Sequence, residues 1–193
     1  MFTNFKPLLT LLLALSLIVI TGCGTKYSFN NQTYKKPEQA LQAHKDYLNK
    51  IESELKVSDS KPTGKVLIVT PSKKTAESLG ITRTGQPGKE IIDYLGSYLE
   101  NDYSHFSRFL TKSNLFETVE PVIDDFPKNY ANKKKGDYDA TIYLDMKSPT
   151  QISWFVMFSP EHEAKPIVID SMAEQGSPKI QSWIDNINKL RNN

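Results

Sequence analysis

The spacing of hydrophobic and polar residues predicts a helix followed by a buried strand after residue 36. Apolar positions recur every three or four residues from 37 to 56, as in an amphipathic helix, and Pro37 suits a first helical position. This stripe consists of Leu41, His44, Leu48, Ile51 and Leu55. The continuous apolar run 66–69, between Gly64 and Pro71, predicts a strand buried on both faces. We expect it to be the central strand of a sheet.

A second amphipathic pattern covers residues 89–112 and predicts a long helix that ends at Asn114. Residues 115–122 predict a second strand. Residues 125–137 are polar and are interpreted as a loop, which carries Lys133, Lys134 and Lys135.

Apolar and polar residues alternate over 140–144, the period of a strand with one face in the core. Two further strands, 152–158 and 166–169, are joined by a turn, and Ser177 followed by Pro178 predicts the start of a last helix. The fold class expected from this order is α/β or α+β. It comprises a mixed sheet of about five strands with helices packed on it, plus the amino-terminal amphipathic helix.

The amino terminus has the pattern of a secretory signal. Lys6 precedes an apolar run over residues 7–20, which is shorter than the roughly 20 residues needed to span a bilayer. The run ends in Ile20, Thr21, Gly22 and Cys23, which resembles the lipobox of bacterial lipoproteins. This resemblance implies cleavage before Cys23 and attachment of acyl chains, such as palmitate, to that cysteine. An ordinary signal peptide with a chance thiol is the alternative.

These observations predict three segments: a cleaved signal peptide over 1–22, a flexible tether over 23–36, and a single globular domain over 37–193. Cys23 is the only cysteine, so no disulfide within the chain is possible. The lipobox resemblance implies a membrane-anchored protein. Gly24 after the cysteine favours the outer membrane, facing the periplasm, and the outer face of the plasma membrane is the alternative.

Composition narrows the possible partners. The formal net charge of the 193 residues is only +2, which argues against nucleic acid as a partner. The lysines at 133–135 lie among acidic residues, so a solvated loop explains them better than a lipid-binding patch does.

Three stretches are similar to a known periplasmic module. They are residues 64–69, residues 114–119 after the long helix, and residues 137–142. Together, over 64–145, they resemble the α/β module of the curli-secretion lipoprotein, the TolB amino-terminal domain and the lipoprotein activators of penicillin-binding proteins. The resemblance implies a non-enzymatic periplasmic adaptor. The chain departs from that pattern after Ile142, where it continues into an aromatic-rich hairpin.

No catalytic, cofactor or metal site is predicted from motifs. Gly80, Gly85 and Gly88 lie before Lys89, but a phosphate-binding loop would need Ser or Thr where Glu90 stands. The cluster Glu161, His162 and Glu163 fits a solvated turn better than a metal site, since His44 and His105 belong to separate helices. Ser58 and Lys61 have the spacing of penicillin-recognising acyl transferases, but the accompanying motifs are missing.

The strand 152–158 is apolar on both faces. Trp154 lies on one face, while Phe155 and Met157 lie on the other. Either helices cover both faces, or these three side chains form a surface for a protein partner. The expected function is therefore a lipid-anchored adaptor that binds another envelope protein and is not an enzyme. The alternative is a ligand-binding or hydrolytic lipoprotein whose site has no local motif.

Overall fold

The computed structural model describes residues 27–29, 32–59, 61–75, 89–148, 151–167 and 176–192. Two short strands, β1 (Tyr27–Phe29) and β2 (Gln32–Tyr34), come first and pair with each other. The other elements are α1 (Pro37–Glu54), β3 (Lys65–Pro71), α2 (Lys89–Ser113), β4 (Thr118–Asp124), α3 (Pro127–Lys134), β5 (Ala140–Ser148), β6 (Gln151–Phe158), β7 (Lys165–Ile167) and α4 (Gly176–Arg191).

Strands β3 to β7 form one mixed sheet, as predicted, in the order β4-β3-β5-β6-β7. Strand β3 is parallel to both β4 and β5, while β5, β6 and β7 are antiparallel neighbours. The connection from β3 through α2 to β4 is thus a parallel crossover. The middle strand is β5 rather than β3, because a second crossover through α3 returns the chain past β3 to its other side.

Both faces of the sheet are covered. On one face, Val66 and Ile68 pack with residues of α1, α2 and α4, such as Ile51, Phe109 and Trp183. On the other face, Leu67 and Val69 pack with Ala131 of α3 and with Tyr143 and Met157. The prediction that 66–69 is buried on both faces is confirmed.

The prediction of a one-faced strand at 140–144 was wrong. Thr141 and Tyr143 are as buried as Ala140, Ile142 and Leu144. The reason is α3, which lies within residues 125–137 that were interpreted as a loop. Only Pro127 and Ala131 of this helix are buried, so its sequence carries too short an apolar stripe to reveal it.

Helix α2 ends as predicted at Asn114, whose φ of 58° is the left-handed conformation common just beyond a helix. The following strand begins at Thr118, three residues later than predicted. Leu115 and Phe116 are apolar and buried, so they extend the apolar pattern of the strand, but they pack in the turn before it.

The predicted tether is wrong for the described residues from Tyr27 onward. Tyr27 and Phe29 are buried against α1, where the Phe29 ring lies 5.2 Å from His44 and 5.5 Å from Tyr47. Tyr27 lies opposite Tyr34 in the hairpin. The strands are only three residues long, so their sequence shows little periodicity, and burial against α1 stabilises them.

Helices α1 and α2 run parallel to each other. Asn49 of α1 lies 3.4 Å from His105, and beyond the end of α1 the backbone N–H of Ser58 donates to the Ser113 carbonyl at 2.8 Å, so residues here pair with residues 55 or 56 positions later. Helix α2 returns from the carboxyl end of β3 to the amino end of β4. The amino terminus of α1 therefore lies at the same end of the molecule as the carboxyl ends of the parallel strands.

Candidate functional site

Two of the three residues predicted to form a partner surface on β6 are buried. Trp154 and Met157 expose only 4% and 1% of their area. The Trp154 ring lies 4.6 Å from Phe106 and 5.4 Å from Trp183, among residues of α2 and α4. Met157 belongs to the cluster on the α3 side. Trp154 and Met157 are thus buried on opposite faces of β6, as expected if both faces are covered within the fold.

Phe155, the third predicted surface residue, is half-buried. Its ring stacks on Tyr143 at 5.5 Å with an interplanar angle of 14°. Burial, and then the charge of Asp145, raises the pKa of the Tyr143 hydroxyl above its ordinary value. Phe155 and Trp154 point to opposite faces of the sheet, so the three predicted residues cannot contact one partner together.

Large exposed apolar residues lie elsewhere. Ile123 at the end of β4 exposes 63% of its area, and Phe126, three residues later, exposes 68%. The Asp124 side chain accepts a hydrogen bond from the Phe126 backbone N–H at 2.7 Å, which fixes the turn between β4 and α3. We name Ile123 and Phe126 the exposed pair. Val57, at 50%, is the other large apolar residue that is exposed in the described ranges.

The exposed pair adjoins the edge of the sheet as the described strands define it. Among these strands, β4 is the last in the order and pairs with β3 alone. Pro121 has no N–H group and suits an edge position. Toward the amino end of β4, the Lys65 ammonium and the Glu120 carboxylate form an ion pair at 2.9 Å. The hydrogen bond between them raises the pKa of Lys65 and lowers that of Glu120. Pro121 and this ion pair limit continuous pairing with another strand.

A hydroxyl and carboxylate cluster lies beside the exposed pair. Ser72, after β3, donates a hydrogen bond to the side chain of Asp125, after β4. Thr75 Oγ1 lies 3.3 Å from the same carboxylate oxygen, and its backbone N–H donates to Ser72 Oγ at 3.2 Å. The contacts to Asp125 join the segment after β3 to the turn after β4, and no sequence motif marked them because they link residues 50 or more positions apart.

This cluster occupies a position where α/β proteins commonly bind ligands. After β3 the chain leads to α2 on one face, and after the neighbouring β4 it leads to α3 on the other. Ligands of open α/β sheets commonly bind in a crevice at the carboxyl ends of the strands where the strand order reverses. That reversal is between β3 and β5 here, and Ser72 and Thr75 follow β3. Nearby, Lys128 of α3 pairs with Asp145 of β5 at 3.1 Å. The polar groups here are suited to binding a polar ligand, and their hydrogen bonds to one another also join the segments at this end of the sheet.

The turn containing Glu161, His162 and Glu163 remains a surface turn. Both glutamates are exposed, and His162 is half-buried with a φ of 54°. Across the described ranges, no group of three or more His, Cys, Asp or Glu side chains is arranged to hold a metal ion. Ser58 lies in the linker and pairs through its backbone with Ser113, while Lys61 is exposed.

The remaining histidines do come together, although the sequence did not indicate it. His44 of α1 and His105 of α2 are both buried at the contact between their helices. His105 lies 2.8 Å from the Asn101 carbonyl and 3.2 Å from Arg108. Arg108 in turn forms an ion pair with Glu52 at 2.7 Å, with angles outside hydrogen-bond geometry. Burial is the main cause that lowers the pKa of His105.

Cys23, the signal segment and the glycines at 80, 85 and 88 lie outside the described residues, and Lys89 is the first residue of α2. Among the described helices, none combines the length and the hydrophobicity that crossing a membrane requires. Comparison of the chain with protein-family models, with curated proteins and with solved structures yields no match.

Proposed function

We propose that this protein is a lipoprotein, anchored through acyl chains on Cys23, that acts as a non-enzymatic adaptor for another envelope protein. The anchor rests on the order of the apolar run, the small residues and the cysteine at positions 7–23. The adaptor function rests on one observation, the exposed pair at the end of β4. It also agrees with the resemblance of residues 64–145 to periplasmic adaptor modules.

The exposed pair suits a protein partner for a physical reason. An exposed aromatic ring and a branched aliphatic side chain lie beside a fixed turn, so little conformational entropy is lost when they are covered. Asp124 and Asp125 lie between them in the sequence. We therefore expect the partner to present an apolar side chain flanked by basic residues.

Site-specific photocrosslinking in the native envelope tests this proposal. A photoreactive phenylalanine analogue is placed at position 126 of the full-length lipoprotein, and crosslinked products are identified by mass spectrometry. The matched control carries the analogue at Glu117, which is exposed but precedes β4 at the opposite end of the strand. We expect one envelope protein to crosslink at 126 and not at 117.

A crosslink alone is insufficient, so the partner is then purified and its affinity is measured. Phe126→Ala should weaken binding at least tenfold and change the free energy of unfolding by less than about 0.5 kcal/mol, because the ring is exposed. Trp154→Ala should instead cost about 3–5 kcal/mol of stability, because its ring is buried. Equal crosslinking at 126 and 117, or crosslinking to lipid alone, would refute the adaptor.

The cluster of Ser72, Thr75 and Asp125 supports a second candidate, a ligand-binding or hydrolytic lipoprotein. Its hydroxyls and carboxylate lie at the crevice position described above, and polar groups at such positions orient bound ligands. A thermal-shift screen of polar periplasmic metabolites tests this function. A ligand that raises the melting temperature of the wild type but not that of Asp125→Asn would favour binding at the cluster over the adaptor.

A further inference from the structure

The fold begins very close to the proposed lipid attachment site. Tyr27 is 4% exposed and already packs against α1, so the ordered hairpin starts four residues after Cys23. Four residues span at most about 14 Å even when fully extended. A compact domain of about 170 residues has a radius of gyration of about 15 Å. A lipid on Cys23 would therefore hold this end of the domain against the bilayer and restrict its rotation.

The side chains around this point are suited to a phosphate-bearing surface. The hairpin register sets Tyr34 opposite Tyr27, so Lys35 and Lys36 directly follow the residue that lies beside the start of the fold. Both lysines are exposed. Glu38, in the first turn of α1, is the nearest acidic residue in the sequence and offsets part of this charge. Lysines within a Debye length of anionic headgroups are attracted to them.

We infer that the end of the domain formed by the hairpin and the start of α1 rests on the bilayer, where Lys35 and Lys36 contact the phosphates of anionic phospholipids. This inference rests on the proposed lipidation of Cys23. Because α1 and α2 run parallel, the carboxyl ends of the parallel strands lie at the same end of the molecule as the start of α1. The exposed pair then faces the membrane-proximal space, and a partner must present its binding segment near the bilayer.

Amine labelling of the full-length lipoprotein in vesicles tests this orientation. The protein is reconstituted in vesicles of phosphatidylcholine with about one third phosphatidylglycerol, and a membrane-impermeant amine reagent is added outside. Peptide mass spectrometry gives the labelling rate of each lysine and the acylation state of Cys23. Lys133 is the internal control, since it is exposed near the end of α3, which runs from the carboxyl end of β4 to the amino end of β5.

The matched variant carries 20 Gly and Ser residues inserted between Thr25 and Lys26, which lengthens the tether. We expect Lys35 and Lys36 to react at least five times more slowly in the wild type than in this variant, while Lys133 changes less than twofold. Their protection should also weaken at least twofold in pure phosphatidylcholine vesicles.

The possible failures have different meanings. An unmodified Cys23 would overturn the proposed anchor together with this inference. An acylated Cys23 with equal labelling of Lys35 and Lys36 in both tether lengths would overturn the orientation alone and leave the adaptor proposal standing. Equal protection in neutral and anionic vesicles would overturn recognition of anionic headgroups.

Discussion

The two ends of the parallel strands are built differently. At the amino end, hydrogen bonds join the described neighbouring loops to the sheet and to one another. The Asp139 carboxylate accepts from the Lys65 backbone N–H at 2.7 Å, and the Glu117 N–H donates to the Gly64 carbonyl at 2.9 Å. The Ser159 N–H donates to the Asp139 carbonyl at 2.9 Å. These contacts bring together segments that are distant in the sequence.

Among the described residues at the carboxyl end, a hydrogen-bonded cluster of Ser72, Thr75 and Asp125 lies beside two exposed apolar side chains. Burying Ile123 and Phe126 within the fold would have stabilised it, so their exposure at this end has a cost. Among the described residues, the amino end therefore carries the contacts that join distant segments, and the carboxyl end carries the exposed pair to which we assign the partner. This division is common in α/β proteins, where loops after the strands carry function.

The largest expected effect is at the amino end, at Gly64. Its φ is +75°, and a Cβ built there would lie 2.9 Å from side-chain atoms of Asp139. Gly64→Ala would thus strain the backbone and displace the carboxylate that binds the Lys65 N–H. We expect a loss of about 2–3 kcal/mol in the free energy of unfolding, measured by urea denaturation.

Gly136→Ala is the control for this substitution, since a Cβ there meets no atom within 4 Å. It should change the stability by less than about 0.5 kcal/mol. If the two alanine variants were equally stable, the amino end would tolerate rearrangement and the proposed difference between the ends would not hold.

A smaller effect, a change of stability with pH, is expected at the contact between α1 and α2. This contact lies between the two ends of the strands. Folding lowers the pKa of His105 below the ordinary 6.5 through burial and the nearby Arg108 and His44, while Glu52 and the Asn101 carbonyl oppose this. The unfolded chain then binds a proton more readily than the folded chain. His105 therefore contributes full stability above about pH 6.5, and this is lost as the pH falls toward the lowered pKa.

Urea midpoints measured between pH 7.5 and pH 5.5 check this prediction. We expect the wild type to become less stable as the pH falls, and His105→Gln to show a flatter dependence because its side chain does not titrate. An unchanged slope in the variant would show that another group causes the acid sensitivity. The Nδ1 atom donates to the Asn101 carbonyl, so a proton on Nε2 would face Arg108 at 3.2 Å.

The smallest effect is expected in the cluster at the carboxyl end. Ser72→Ala removes a hydrogen bond to Asp125 in an exposed setting, where water can replace it. We expect a loss of at most about 1 kcal/mol in the free energy of unfolding. A loss as large as that of Gly64→Ala would mean that this cluster also maintains the fold, and the carboxyl end would no longer be the less constrained one.

Long periodic segments were the predictable part of the fold. The helices over 37–56 and 89–112 and the strands at 66–69 and 152–158 all occur close to their expected positions. Short elements were missed, because strands of three residues and α3 with two buried residues carry little periodic signal. Missing α3 led directly to the wrong prediction that 140–144 has one face in the core.

The candidate site was less predictable than the fold. Trp154 and Met157 were correctly identified as apolar on opposite faces of a strand, but that pattern does not distinguish a buried strand from an exposed one. Ile123 and Phe126 had no distinguishing pattern, because their exposure depends on which elements of the fold pack beside them. The cluster of Ser72, Thr75 and Asp125 arises from pairing between segments about 50 residues apart.

The sequence by itself determined the local features of this protein. Periodicity specified the long helices and strands. The lipoprotein signal over residues 7–23 is a prediction that likewise needs no tertiary contact. Tertiary structure alone decided which described strand lies at the edge, which aromatic side chains are buried and that Tyr27 packs against α1. The physical reason is that periodicity reports the geometry within one element, whereas burial depends on neighbours supplied by distant parts of the chain.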